Sequence, residues 1–154
     1  MNPAALDAAI PAGETIVLDS SAILAYLSGA EAASPASASI IDGFVASGRN
    51  RAVVSAITVT ETLVRPLRAG APTAVRIVED FLLRFPNLRV DPVSFETARV
   101  AAEIRVRTAA PAPDALILAT AVTAEARIVV ANDQSWPAIA KRAGLSIKVV
   151  LLDR

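Results

Sequence analysis

The chain has 154 residues, 54% of them hydrophobic, and fifteen acidic side chains balance fifteen basic ones. That length suits one domain with a sizeable core, and a net charge of zero points to no particular class of partner. Neither cysteine nor histidine is present, which excludes disulfides, thiolate nucleophiles, imidazole metal sites and a Ser-His-Asp triad. Any chemistry falls to carboxylates, hydroxyls, arginines or a hard metal ion.

The bases are lopsided, thirteen Arg against two Lys. Arg favours planar recognition of phosphate and carboxylate, but a GC-rich genome accounts for both the arginine and the alanine and is the simpler cause. No apolar run reaches the roughly 18 residues needed to span a bilayer, so no membrane partner is expected. Met1 to Glu14 carries no Lys or Arg and no long apolar core, so it does not read as a secretory signal. We expect residues 1–14 to be a short, partly ordered lead-in to a single domain over residues 15–154, in the cytoplasm.

Ile16, Val17 and Leu18 predict a short buried strand. Ile23, Leu24 and Leu27 then recur at helical spacing, so Asp19 stands where a strand ends and a helix begins. Ala30 to Ser39 reads as a loop, with Ser34-Pro35 as a cap followed by a first helical proline. Ile40, Ile41, Phe44 and Val45 form a helical stripe that ends near Gly48. Arg51 to Ile57 predicts a second strand, and Thr58 to Leu67 a helix that Pro66 must kink or end. Pro72 opens another helix, with Val75, Val78, Leu82 and Phe85 on one face and a stop at Pro86-Asn87.

Leu88 to Val90 is a short strand, and Ser94 caps a helix over Phe95 to Thr108. Ala110-Pro111-Ala112-Pro113 is a stiff loop before a helix from Asp114 to Ala126. Arg127 to Ala131 is a strand, Asn132 to Ser135 a turn, Trp136 to Ala143 a helix ended by Gly144, and Ile147 to Leu152 the last strand. This alternation predicts an α/β fold of three layers, α/β/α, around a mostly parallel sheet, with no repeat and no second domain.

Of four acids on that map, at least three fall on one rim. Asp19 follows the first strand, Glu61 lies in the first turn or so after the second, Asp114 follows the proline loop, and Asp133 follows the Arg127–Ala131 strand. The carboxyl ends of strands are where open α/β sheets bind ligands. Each acid also has an ordinary account: Asp19, Ser20 or Ser21 as the cap of the first helix and Asp114 as a later one, Asp133 as a turn residue, Glu61 as a charge favoured at a helix start. One shared cause covers all four. Gathered carboxylates repel, and an oxygen-seeking Mg²⁺ or Mn²⁺ would neutralise them.

Other chemistries on such a rim lack their residues. A phosphotransfer receiver needs a lysine at a late strand end, and Lys148 lies inside the last strand. An Asp-x-Asp phosphatase needs an acid where Ser21 stands, and Asp-Ser-Ser-Ala is no Gly-rich dinucleotide turn.

Leu18-Asp19-Ser20-Ser21-Ala22-Ile23, Thr60-Glu61, Pro113-Asp114-Ala115-Leu116-Ile117-Leu118-Ala119-Thr120-Ala121 and Ala131-Asn132-Asp133 resemble the PIN-domain family, in particular the VapC-type toxin ribonucleases. The resemblance spans roughly Thr15 to Leu151, and the Asp114 block is its most specific part. It implies a PIN-like parallel sheet and a Mg²⁺- or Mn²⁺-dependent endoribonuclease acting on single-stranded RNA, as the toxin of a type II toxin–antitoxin pair. It also implies a homodimer and a cognate antitoxin. By the same resemblance Asp19, Glu61 and Asp114 are the core metal ligands and catalytic acids, Asp133 is the fourth acid, and Ser21 occupies a hydroxyl position beside the first. One departure is Ala131, where family members often carry Thr or Ser, and it bears on the hydrogen bonding around Asp133. The alternative is a PIN-fold module that binds RNA or protein without catalysis. Arg65 and Arg68, or Arg105 and Arg107, stand where they could meet RNA phosphates or simply be solvated.

Overall fold

The computed structural model describes residues 3–153. Five strands, β1 (Thr15–Leu18), β2 (Arg51–Ser55), β3 (Leu88–Asp91), β4 (Ile128–Ala131) and β5 (Lys148–Leu151), form one parallel sheet in the order β3-β2-β1-β4-β5. The helices are α1 (Pro3–Ala9), α2 (Ser20–Ser28), α3 (Ser34–Ala38), α4 (Ala56–Arg68), α5 (Pro72–Arg84), α6 (Phe95–Thr108), α7 (Ala112–Thr123) and α8 (Trp136–Ala143). A π-helical stretch, Ser39–Ala46, continues α3. The chain lays down β1, β2 and β3 in one direction, then returns to place β4 on the other side of β1. The switch point thus lies between β1 and β4, and their carboxyl ends open the crevice in which such sheets bind ligands.

Alternation along each strand divides the core in two. Ile16, Leu18, Ala52, Val54, Ile128 and Val130 face one layer, where Leu6 and Ile10, Ile23 of α2, Ile40 and Ile41 of the π-helical stretch, and Phe81 of α5 bury against them. Val17, Val53, Val129 and Ala131 face the other, against Ile104 of α6, Ile117 and Leu118 of α7, and Trp136 of α8. Burial on both faces is why β4 reads as an unbroken apolar run rather than an alternating one. The three-layer parallel architecture is as expected from the sequence.

Several local expectations change. Residues 1–14, expected as a partly ordered lead-in, contain α1, and Leu6 and Ile10 are buried in the core. Arg49 holds this segment through the carbonyl of Ile10 (2.9 Å) and the carboxylate of Asp7 (3.1 Å), while Asn50 Nδ2 donates to the carbonyls of Pro11 and Glu14. Strand β2 ends at Ser55 rather than Ile57, and α4 starts at Ala56, two residues before the expected Thr58. Pro66 does not end α4, because Ala69 still donates to Arg65 O at 3.1 Å beyond it. Ser34 is not a cap; buried, it donates to the carbonyl of Ala25 at 2.6 Å. Ser94 does cap α6, accepting from Thr97 N at 3.1 Å.

Candidate functional site

Asp19 extends the β1–β4 pairing by one rung, its N–H donating to Val130 O at 3.0 Å, and then turns the chain into α2. It is the N-cap of that helix. Its Oδ2 accepts from Ser21 N at 3.2 Å and from Ser21 Oγ at 2.6 Å, and only 6% of the residue is exposed. Ser21 Oγ in turn accepts from Asn132 N at 3.0 Å. One hydroxyl therefore ties the first acid to the turn carrying the fourth, across the switch point. The turn after Ala131 is thus held by a hydroxyl from the first turn of α2. Asn132 fixes the turn further through its side chain, which pairs with Asp153.

Asp133 is exposed and its Oδ1 accepts from Ser135 N at 2.7 Å, so it does serve the turn. Asp114 lies in the first turn of α7 but does not cap it; the cap position is Pro111. Its place near a helix N-terminus suits an anion, yet burial first, and the nearby Asp133 and Asp19 charges next, raise its pKa. The indole N–H of Trp136 opposes that rise, though it is not aligned closely enough to make a full hydrogen bond. Glu61 sits on the second turn of α4, half-buried. Burial, then the charges of Asp19 and Asp114, raise its pKa against a lowering contact from Ser20.

The structure thus brings Asp19, Glu61 and Asp114 into mutual repulsion and places Asp133 against Asp114. Among the described residues no three acidic side chains close into a metal-ligand cage. Also among these residues, the buried side-chain polar atoms without a hydrogen bond are Thr58 Oγ1, Glu61 Oε2 and Trp136 Nε1. All three belong to segments at this rim. An orphaned carboxylate oxygen beside repelling acids is costly unless a proton or a cation relieves it, and an all-oxygen donor set fits a hard divalent ion. Sequence reasoning missed Ser20 and Trp136. Nothing near Trp136 in sequence marks it as a neighbour of Asp114, since that contact depends on how α8 packs.

The arginines divide. Arg105 Nε donates to Ala110 O at 3.2 Å and Arg107 Nη1 to Ala143 O at 2.9 Å, so this pair braces the loop before α7 and the end of α8. Arg65 and Arg68 are exposed in the last turn of α4.

The family model described as "PIN domain" matches residues 16–142. This chain belongs to the PIN domain family. By sequence, no curated protein matches it. Among solved structures, this PIN domain is similar to the VapBC2 complex of Rickettsia felis bound to a promoter DNA fragment, at 14% identity and a TM-score of 0.68. That match covers 89% of this chain and 98% of the other. It is similar to the Mycobacterium tuberculosis VapC20, described as a sarcin-ricin loop cleaving toxin, at 21% identity and a TM-score of 0.65, covering 80% and 93%. FitAcB of Neisseria gonorrhoeae matches at 22% identity and 0.63, covering 89% and 97%. At these identities the likeness is one of fold. No helix among the described residues of this PIN domain is long and apolar enough to cross a membrane.

Proposed function

We propose that this PIN domain is an endoribonuclease that cleaves single-stranded RNA with the help of Mg²⁺ or Mn²⁺, and that it is the toxin of a type II toxin–antitoxin pair. The observation that carries the reading is the repelling cluster of Asp19, Glu61 and Asp114 around the unpaired Glu61 Oε2. Asp19, Glu61 and Asp114 would hold the ion, and Asp133 would support it from the rim. When bound, such an ion polarises a phosphate and acidifies water. Ser21 holds the Asp19 carboxylate in place, and Glu61 Oε2 offers an acceptor for a proton from the attacking water. Arg65 and Arg68 offer exposed charge to RNA phosphates.

The toxin assignment is supported by the neighbours, which include toxin–antitoxin complexes and a toxin described as cleaving the sarcin-ricin loop. The same reading includes a cognate antitoxin, a homodimer and action in the cytoplasm. The test is cleavage of unstructured RNA against Mn²⁺ concentration. Cleavage should vanish in chelator and in Asp19→Asn and Asp114→Asn. Asp133→Asn, whose side chain is exposed, should lose only about 10–100-fold, the range of an outer metal contact. RNA binding without cleavage at any metal concentration would instead favour a non-catalytic binding module.

A further inference from the structure

Ser55 stands at the N-cap of α4 but does not cap it. A serine in that position ordinarily accepts from an N–H of the first turn, a contact worth about 1 kcal/mol. Here the fully buried Ser55 Oγ accepts instead from Thr120 Oγ1 of α7 at 2.9 Å, and Thr120 is 1% exposed. Thr120 also donates to Leu116 O at 2.8 Å, so its one proton is shared between helix backbone and Ser55. This bond joins residues 65 apart in sequence. Its two ends have matching relations to the site: Glu61 follows Ser55 by six residues, and Asp114 precedes Thr120 by six, about 9 Å along each helix. Helices α4 and α7 pack on each other, and α7 packs on β2. Both helices carry a carboxylate to the same rim.

We infer that Ser55 and Thr120 are positioning residues, whose buried hydroxyl tie sets the separation of the Glu61 and Asp114 carboxylates and so the strength with which the rim holds a divalent cation. The inference rests on the metal reading given above. A hydroxyl contact in a dry interior is directional and short, whereas apolar packing is non-directional and fixes the spacing of the two carboxylate-bearing turns less closely. Neither residue touches the ion or the RNA; each acts through the helix it anchors.

The experiment is direct Mn²⁺ binding, read by loss of the free-ion electron paramagnetic resonance signal in RNA-free protein, with melting temperature measured in parallel. The unaltered chain and Asp114→Asn set the two limits. Thr120→Val keeps the shape and removes the hydroxyl; Ser55→Ala removes the other end and covers the case in which the valine variant fails to fold. Each should weaken Mn²⁺ binding about 10-fold, the lower end of what loss of a supporting contact costs. The double variant should be no weaker than either single one, because a single bond has been removed. Thr120→Ser, which keeps the hydroxyl, should bind as the unaltered chain does. Variants that melt lower yet bind Mn²⁺ normally would reduce the pair to core packing and overturn the inference alone. If the unaltered chain binds no Mn²⁺ that Asp114→Asn abolishes, the metal reading fails and the positioning role falls with it.

Discussion

Asp19 has to serve two purposes with one carboxylate. Its Oδ2 caps α2 and takes the Ser21 hydroxyl, while its charge is felt by Glu61 and Asp114. The two purposes separate by mutation. Asparagine caps about as well as aspartate, but carries no charge. Asp19→Asn should therefore keep the metal-free stability within about 0.5 kcal/mol, the ordinary range for a change that removes no buried contact, while cleavage is lost. Asp19→Ala should lose both cleavage and about 1 kcal/mol, the cost of a missing cap. Urea unfolding of the two variants checks this; equal losses of stability would show that the charge, not the acceptor, holds the turn. The positions of the acids were legible in the sequence because Asp19, Asp114 and Asp133 follow a strand or open a helix and Glu61 lies early in one. Of their supports, Ser21 was legible as a hydroxyl beside Asp19, but its second contact was not. Ser21 meets Asn132 across 111 residues, and only the β1–β4 pairing makes them neighbours.

At the scale of elements, the strands and most helices were legible because parallel strands buried on both faces are continuous apolar runs. The boundaries that moved are those where tertiary packing outweighs propensity. Ile57-Thr58-Val59-Thr60 favours strand, yet α4 begins at Ala56 and carries Glu61 to the rim on its second turn. Two helices, α4 and α7, thereby carry Glu61 and Asp114 to one rim, where burial first raises both pKa values, helped by the Asp19 and Asp114 charges at Glu61 and by the Asp133 and Asp19 charges at Asp114. A carboxyl whose pKa is higher folded than unfolded binds more protons in the native state. Its contribution is present below the unfolded value and is lost as pH rises through the folded one. Metal-free protein should therefore lose stability between about pH 4.3, the ordinary glutamate value, and neutrality, relative to a Glu61→Gln/Asp114→Asn variant. Mn²⁺ should reverse the trend, since the ion competes with protons for the same oxygens. Parallel stability–pH curves for the two metal-free proteins would show that the rim carboxylates impose no such strain.

At the scale of the whole molecule, the site and the N-terminal helix lie at opposite ends of the sheet. The acids gather at the carboxyl ends of β1 and β4, whereas α1 precedes β1 and is held by Arg49 and Asn50, just ahead of β2, and by Lys148 at the start of β5. Leu6 and Ile10, four residues apart, carry a helical signal too short to stand out in an alanine-rich stretch, which is why this part of the core was not legible in the sequence. The family match begins at residue 16, beyond α1. Burial nevertheless makes α1 part of the fold, since Leu6 is 1% exposed and Ile10 fully buried. Leu6→Ala should then cost about 2–5 kcal/mol, the range for truncating a fully buried leucine. Because Asp7, Ala9 and Ile10 are held by Arg49 and Lys148 at the other end of the sheet, the Mn²⁺ dependence of cleavage, measured well below the melting temperature, should not change. Urea unfolding and the metal titration together decide the point. A stability loss below about 1 kcal/mol, the scale of a surface or loosely packed change, would make α1 an attachment to the sheet rather than a part of its core. A shifted metal midpoint would mean that the two ends of the sheet are mechanically coupled.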